Sequence, residues 1–174
     1  MATLRSWKGH RYLLQAIAAL PYKDVHVAIV GDGPQREALE ALAKELGLAS
    51  RVTFAGNQAD VAPWLQSFDL FCLPSYANEG VPQALMQAMA CGLPVVTTPV
   101  GSIEEIVTDG DTGVLVPPED ADRLRDAIAR LLDDAPLRQR LGVRAAQLAR
   151  ERFGDERMVD RMLAVFRQAA APHG

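Results

Sequence analysis

At 174 residues the chain is long enough for one domain with a real core, and its net charge of −4 argues against general nucleic-acid binding through phosphate neutralisation. No apolar run approaches the roughly 18 residues that span a membrane, and no signal peptide opens the chain. Cys72 and Cys91 and the scattered His10, His26 and His173 show no metal-ligand spacing, so no metal site is expected and the cysteines read as small core residues in a reducing, cytoplasmic setting.

Met1 to Arg5 is short and extended in character and runs directly into Lys8-Gly9. His10 to Leu20 carries Leu13, Leu14, Ile17, Ala18 and Leu20 at helical spacing. Val25 to Val30 is a predicted strand ending at Gly31-Asp32-Gly33-Pro34, and a second helix follows with Leu39, Leu42, Ala43 and Leu46 on one face and Gly47 as its stop. Val52 to Phe54, a short helix from Val61 to Gln66, and a strand from Asp69 to Leu73 come next. Pro82 suits the first position of a buried helix that Gly92 and Pro94 end, before the strand Pro94 to Thr97. Ser102 and Glu105 have the spacing of a capping box, and Val114 to Val116 is the last short strand. Helices are expected over Asp120–Leu132, Pro136–Arg152 and Glu156–Ala170, with arginines and acids nearly matched on a solvated, ion-paired face.

Strands alternating with helices imply an α/β, Rossmann-like, three-layer domain, its parallel sheet covered by helices on both faces. Such sheets bind ligands beyond the carboxyl ends of their strands. The loops there are 2–8, 31–34, 56–58, 74–81 and 98–102, so a nucleotide-type pocket is expected. A sheet of this kind would want a full first strand before Lys8, yet only seven residues precede it. The chain is therefore expected to be one domain of a longer protein, cut inside or just before that strand.

Generic nucleotide signatures are mostly missing. Gly31-Asp32-Gly33 follows a strand, but Arg36 stands where a dinucleotide fold needs its third glycine, which leaves a tight strand-to-helix turn. Neither a P-loop nor a Gly-x-Ser-x-Gly elbow is present. The stretch from Leu73 to Val96 is more specific. Glu79 is a single loop carboxylate leading into a helix N-terminus, where free N–H groups and the dipole favour an anion such as phosphate. Gln83 and Gln87 are four apart and share the one polar face of that helix.

Pro74-Ser75-x3-Glu79-Gly80-x-Pro82-x4-Gln87-Ala88-Met89-Ala90-x-Gly92-x-Pro94-Val95-Val96 resembles the donor-binding segment of family 4 glycosyltransferases, retaining enzymes with the GT-B fold. Lys8-Gly9-His10, Gly31-Asp32-Gly33-Pro34, Arg51 to Gly56, Val100-Gly101-x3-Glu105-Ile106-Val107 and Thr112 to Pro117 fall in the family's order and spacing. The resemblance covers nearly the whole chain and implies the C-terminal half of a GT-B enzyme. It would bind a UDP-, GDP- or ADP-sugar without a cofactor or metal, and its acceptor site would lie on an absent N-terminal domain. The isolated domain is expected to bind nucleotide but turn over little or no donor. Polysaccharide, lipopolysaccharide or glycolipid synthesis is the implied setting, compatible with peripheral attachment of the full-length enzyme to the inner membrane face.

The resemblance assigns Lys8, with Arg5, to the departing diphosphate. Arg5 stands three residues before Lys8, whereas the family's arginine usually stands five before it, where this chain has Thr3. Glu79 matches the first acid of the family's Glu-x7-Glu motif, which bonds the donor sugar, and the N–H groups of Gly80, Val81 and Gln83 would face the phosphates. Gln87 occupies the place of the second acid, which bonds the ribose; an amide offers one acceptor oxygen where a carboxylate offers two. An exposed helix stripe is the blander reading of both glutamines, favoured for the Gln83 side chain. Asn57 and Gln58 fall where the family's backbone meets the base, though turn roles would suit them equally. Trp64 is expected to pack, and Trp7 is open. Two rivals remain: a non-catalytic nucleotide-binding module, and half of a sugar-nucleotide epimerase.

Overall fold

The computed structural model describes residues 3–77 and 79–153. Its helices form where apolar side chains recur every three or four residues. They are α1 (His10–Ala18), α2 (Arg36–Glu45), α3 (Ala62–Gln66), α4 (Gln83–Ala90), α5 (Ala121–Asp133) and α6 (Ala135–Phe153). The strands are β1 (Val27–Val30), β2 (Val52–Gly56), β3 (Phe71–Leu73), β4 (Val95–Thr97) and β5 (Val114–Leu115). α5 starts one residue later than expected, because Asp120 is its N-cap, its carboxylate accepting the Arg123 N–H at 2.8 Å. The predicted helix Glu156–Ala170 lies outside the described residues.

All strand pairing is parallel, but the sheet is in two pieces. β1 pairs with β2 from Val27↔Val52 to Ile29↔Phe54, with a register shift after Ile29. β3, β4 and β5 form a separate ladder in that order, with Phe71↔Val95 and Val96↔Val114. Among the described residues no strand joins β1 to β3. The stretch ahead of α1 supplies only a single 3-10 turn, Ser6–Lys8. Its backbone nevertheless passes between the two ladders: the Leu4 N–H donates to Asp32 O at 2.9 Å, and Trp7 O accepts the Tyr76 N–H at 2.8 Å.

Two hydrophobic cores follow from this division. One gathers Leu4, Leu13, Leu14 and Ile17 with Ile29, Leu39, Val96, Leu124, Ile128 and Leu131. The other gathers Leu65, Phe71, Leu85, Met89, Val95, Ile103 and Ala145. Cys72 sits at the edge of the first, where burial pushes its thiol up to about 12.

Three local expectations need correction. Pro82 is the N-cap of α4 and not its first helical residue: its ψ of 109° is extended, and its carbonyl accepts the N–H groups of Leu85 and Met86. Ser102 and Glu105 make no capping box. Ile103–Glu105 is one 3-10 turn closed by the Glu105 N–H on Ser102 O, with no side-chain cap. Cys91 is exposed, because it is the C-cap of α4 and the chain turns outward there into Gly92, φ 77°.

α4 and α6 cross at a pair of glycines. A Cβ on Gly142 would lie 2.1 Å from the Gly92 carbonyl oxygen. Glycine-to-alanine inside a helix ordinarily stabilises by about 1 kcal/mol. Here the steric cost of overpacking, about 1–3 kcal/mol, opposes that gain, and at 2.1 Å from a carbonyl it should sit at the upper end. Gly142→Ala is therefore expected to destabilise the fold by about 1–2 kcal/mol in urea unfolding; a rise in stability would show that the helices can part freely.

Candidate functional site

The stretch that leaves the carboxyl end of β3 toward Glu79 is held at several of its described residues. The Thr97 hydroxyl donates to Leu73 O at 2.8 Å, and the Thr98 hydroxyl donates to Ser75 O. Two glycines admit the loop backbone. A Cβ on Gly9, φ 71°, would stand 1.8 Å from Pro74 O, and one on Gly101, φ 59°, would stand 1.8 Å from Glu79 O. Only a residue without a side chain allows either approach, and both also need the left-handed region. The Tyr76 ring meets Tyr12 edge-on at 6.1 Å between centroids, and the Tyr12 hydroxyl donates to Glu119 Oε1 at 2.7 Å.

This loop carries the Glu79 carboxylate inward, leaving its side chain 3% exposed. A buried carboxylate is costly unless paired and hydrogen-bonded. Lys8 Nζ lies 2.6 Å from Oε1, and the Ser75 hydroxyl donates to the same oxygen at 2.5 Å. Oε2 takes no hydrogen bond among the described residues. Lys8 is brought there because Gly9 turns the chain at once into α1, leaving the lysine at the end of the 3-10 turn.

Next to this pair, α4 begins without a side-chain cap. Among the described residues the N–H groups of Gly80, Val81, Gln83 and Ala84 donate no hydrogen bond. Gly80 and Val81 are exposed, as are Gln83 and Gln87 on one face of the helix. Arg5 is exposed and lies over the Trp7 ring, 5.5 Å from its centroid, forming no ion pair among the described residues. Asn57 and Gln58 are also exposed, and the Gln58 amide donates to Ala55 O at 2.7 Å, bracing its own turn. Asp32 accepts the Gly33 N–H at 2.7 Å and pairs with Arg36, as suits a strand-to-helix turn. Trp64 packs beside Phe68. The structure thus joins Lys8 to Glu79 beside Gly80–Gln83.

Ser75, Thr98, Gly9 and Gly101 hold the site, though sequence reasoning assigns them no role. The four-residue step from Ser75 to Glu79, and the glycines flanking Lys8 and Ser102, were the available signals. His10 was also passed over. It is mostly buried at the start of α1, its Nδ1 has no partner among the described residues, and burial, aided by the Lys8 charge, pushes it down to about 4.

A cation, a row of undirected N–H groups and a buried carboxylate with one open oxygen can together hold a group that is anionic at one end and rich in hydroxyls at the other. Comparison with known proteins agrees with that chemistry. Residues 1–134 match the family model described as glycosyl transferases group 1. The chain belongs to this family. Within it, the N-acetyl-alpha-D-glucosaminyl L-malate synthase of Bacillus anthracis is 34% identical over 167 residues, 95% of this chain and 44% of the relative. The solved structure of Anabaena Alr3699/HepE in complex with UDP-glucose superposes with a TM-score of 0.89 at 30% identity, over 97% of this chain and 47% of that one. The C-terminal domain of LpcC, a group 1 glycosyl transferase of Francisella tularensis, gives a TM-score of 0.81 at 25% identity, over 89% of this chain and 84% of that one. The expected α/β architecture of the GT-B glycosyltransferases is thereby shown. The chain spans less than half the length of the B. anthracis relative. No helix among the described residues is long and apolar enough to cross a membrane.

His10 gives this glycosyltransferase domain a testable pH dependence. Its folded imidazole titrates near 4 and the unfolded one near 6.5, so between these values the unfolded chain binds more protons. Stability from this group is complete above about 6.5 and is lost as pH falls toward 4, by about 3 kcal/mol in full. His10→Gln should flatten this part of the profile in urea unfolding at pH 7 and 4.5; an unchanged slope would refute the assignment.

Proposed function

We propose that this chain is the donor-binding, C-terminal half of a retaining, family 4 glycosyltransferase, taking a nucleotide-diphosphate sugar and passing its glycosyl group to an acceptor held by an N-terminal domain. The observation that carries the proposal is the buried Glu79 carboxylate, bound through one oxygen by Lys8 and Ser75 beside the uncapped start of α4. Support also comes from HepE, similar over almost the whole of this chain and solved with UDP-glucose.

In this reading the open Oε2 of Glu79 accepts from a sugar hydroxyl. The N–H groups of Gly80, Val81 and Gln83 meet the diphosphate, and Lys8 neutralises the charge that grows on it as the glycosyl bond breaks. Arg5, hinged over Trp7, adds a second cation at the same end. Gln87 lies along the ribose, and the turn at Asn57 and Gln58 borders the base. Fixed cations and backbone dipoles do the work here without a metal. The working protein would act in the cytoplasm, at the inner membrane face when its acceptor is a lipid-linked glycan. One relative, LpsE of Rhizobium meliloti, is named for lipopolysaccharide core biosynthesis, which fits that setting.

Calorimetry with UDP, GDP and ADP tests this directly. One nucleotide should bind, unaffected by EDTA, and Lys8→Gln should weaken it about ten- to hundredfold, or about 1.5–3 kcal/mol for a lost charge-assisted contact. No binding by any of the three would overturn the reading. Gln87→Glu separates a working ribose site from a decayed, non-catalytic module. A second acceptor oxygen should tighten nucleotide binding about five- to tenfold, whereas a mere surface stripe would show no change. Neither variant is expected to release sugar from donor without the acceptor domain.

A further inference from the structure

One residue outside the site stands in a backbone conformation that its side chain disfavours. Among the described residues Glu119 is the only non-glycine in the left-handed region, at φ 61°. It lies between Pro117-Pro118 and Asp120, the N-cap of α5. Glycine ordinarily makes such a turn, because a Cβ there crowds the following carbonyl. An outlier of this kind persists only where its surroundings hold it.

What Glu119 gains from the turn is a place for its carboxylate. Oε1 accepts the Tyr12 hydroxyl at 2.7 Å, across 107 residues of sequence. Tyr12 lies in the first turn of α1, and its ring meets Tyr76 edge-on at 6.1 Å and 86°. Tyr76 follows Ser75 directly, and its N–H donates to Trp7 O at 2.8 Å. Ser75 in turn gives its hydroxyl to Glu79 Oε1. A series of contacts and one peptide bond therefore leads from the start of α5 to the buried carboxylate, through Tyr12, Tyr76 and Ser75. The Tyr12 hydrogen bond lies at the surface, where water competes for both partners, so its net contribution to global stability is small beside the cost of the left-handed backbone. Its effect is on direction: it holds one ring against the loop.

We propose that Glu119 is a positioning residue for the donor sugar, acting through Tyr12 and Tyr76 on the loop that carries Ser75 and Glu79. It rests on the reading of Glu79 as the acceptor of a sugar hydroxyl. The carboxylate fixes the Tyr12 phenol, and the Tyr12 ring confines Tyr76. Ser75, next in the chain, then keeps its hydroxyl on Oε1, so that Oε2 is the oxygen left for the sugar. The left-handed backbone at Glu119 is kept for this tether, since glycine would make the same turn with less strain.

The test compares the unaltered chain with Glu119→Gly, Glu119→Gln and Tyr12→Phe. Glu119→Gly relieves the turn and removes the acceptor, so it should unfold at the same urea concentration or a higher one. Its Tyr76 amide should nevertheless exchange about fivefold faster or more, an opening that global unfolding cannot supply in a chain no less stable. Calorimetry with UDP, GDP and ADP and with their glucose conjugates gives the gain in affinity that the sugar adds to the diphosphate. That gain should fall about three- to tenfold in Glu119→Gly, while the affinity for the bare diphosphate stays as it was. Tyr12→Phe keeps the ring and loses the hydroxyl, and should reproduce both changes; Glu119→Gln keeps an acceptor oxygen and should restore both to the unaltered values. Unchanged Tyr76 exchange in Glu119→Gly and Tyr12→Phe would overturn the proposal, as would an unchanged sugar gain in a chain that binds diphosphate. No diphosphate binding by the unaltered chain would instead sink the donor reading, and with it the role assigned to Glu119 in holding the sugar.

Discussion

The site depends on two backbone contacts that only glycine permits. Gly9 lets the start of α1 lie against Pro74, and Gly101 lets the loop after β4 lie against Glu79. These contacts hold Pro74 and Glu79, and the Thr97 and Thr98 hydroxyls donate to the Leu73 and Ser75 carbonyls. The ion pair of Lys8 and Glu79 is a consequence of that clamp. A carboxylate on a mobile loop would stay in water; here the backbone delivers it into a buried position, and the lysine and Ser75 make that position tolerable.

Much of the architecture was legible because its signals are local. The expected bounds of α1, α4 and α5, from apolar spacing and from Pro82 and Gly92, lie within a residue or two of those observed. Alternation of strands and helices implied parallel pairing, and every ladder is parallel. Errors arose where a local rule met a neighbour. Pro82 fits an N-cap as well as a first helical residue, since its fixed φ suits both and only ψ separates them. Ser102 and Glu105 had the right spacing but sit in a turn too short to need a capping box. Cys91 looked like core because its neighbours are core, yet it occupies the turn that leaves the helix.

The site was legible in a different way. Lys8 and Glu79 are 71 residues apart, and no periodicity connects them; only the family-like spacing of motifs suggested that they share a pocket. What spacing could not supply is the support. Ser75 and Thr98 act through single hydroxyls on a loop, and nothing in a hydroxyl's position announces its partner. Arg5 shows the converse: a cation close in sequence to Lys8 that rests on an aromatic ring.

The division of the sheet also bears on how the molecule holds together. Among the described residues no ladder joins β1 to β3, so the two cores are coupled by helix packing: α5 lies on β4 and against α6, and α6 gives Leu137 and Leu141 to one core and Ala145 and Ala149 to the other. Among the described residues, the stretch ahead of α1 adds three bonds at one end of the seam: Leu4 on Asp32, Trp7 on Tyr76, and Lys8 on Glu79. The candidate site therefore also lies where the two ladders are tied together. A ligand that touched both Lys8 and Glu79 would thus add a contact across the seam between the two ladders.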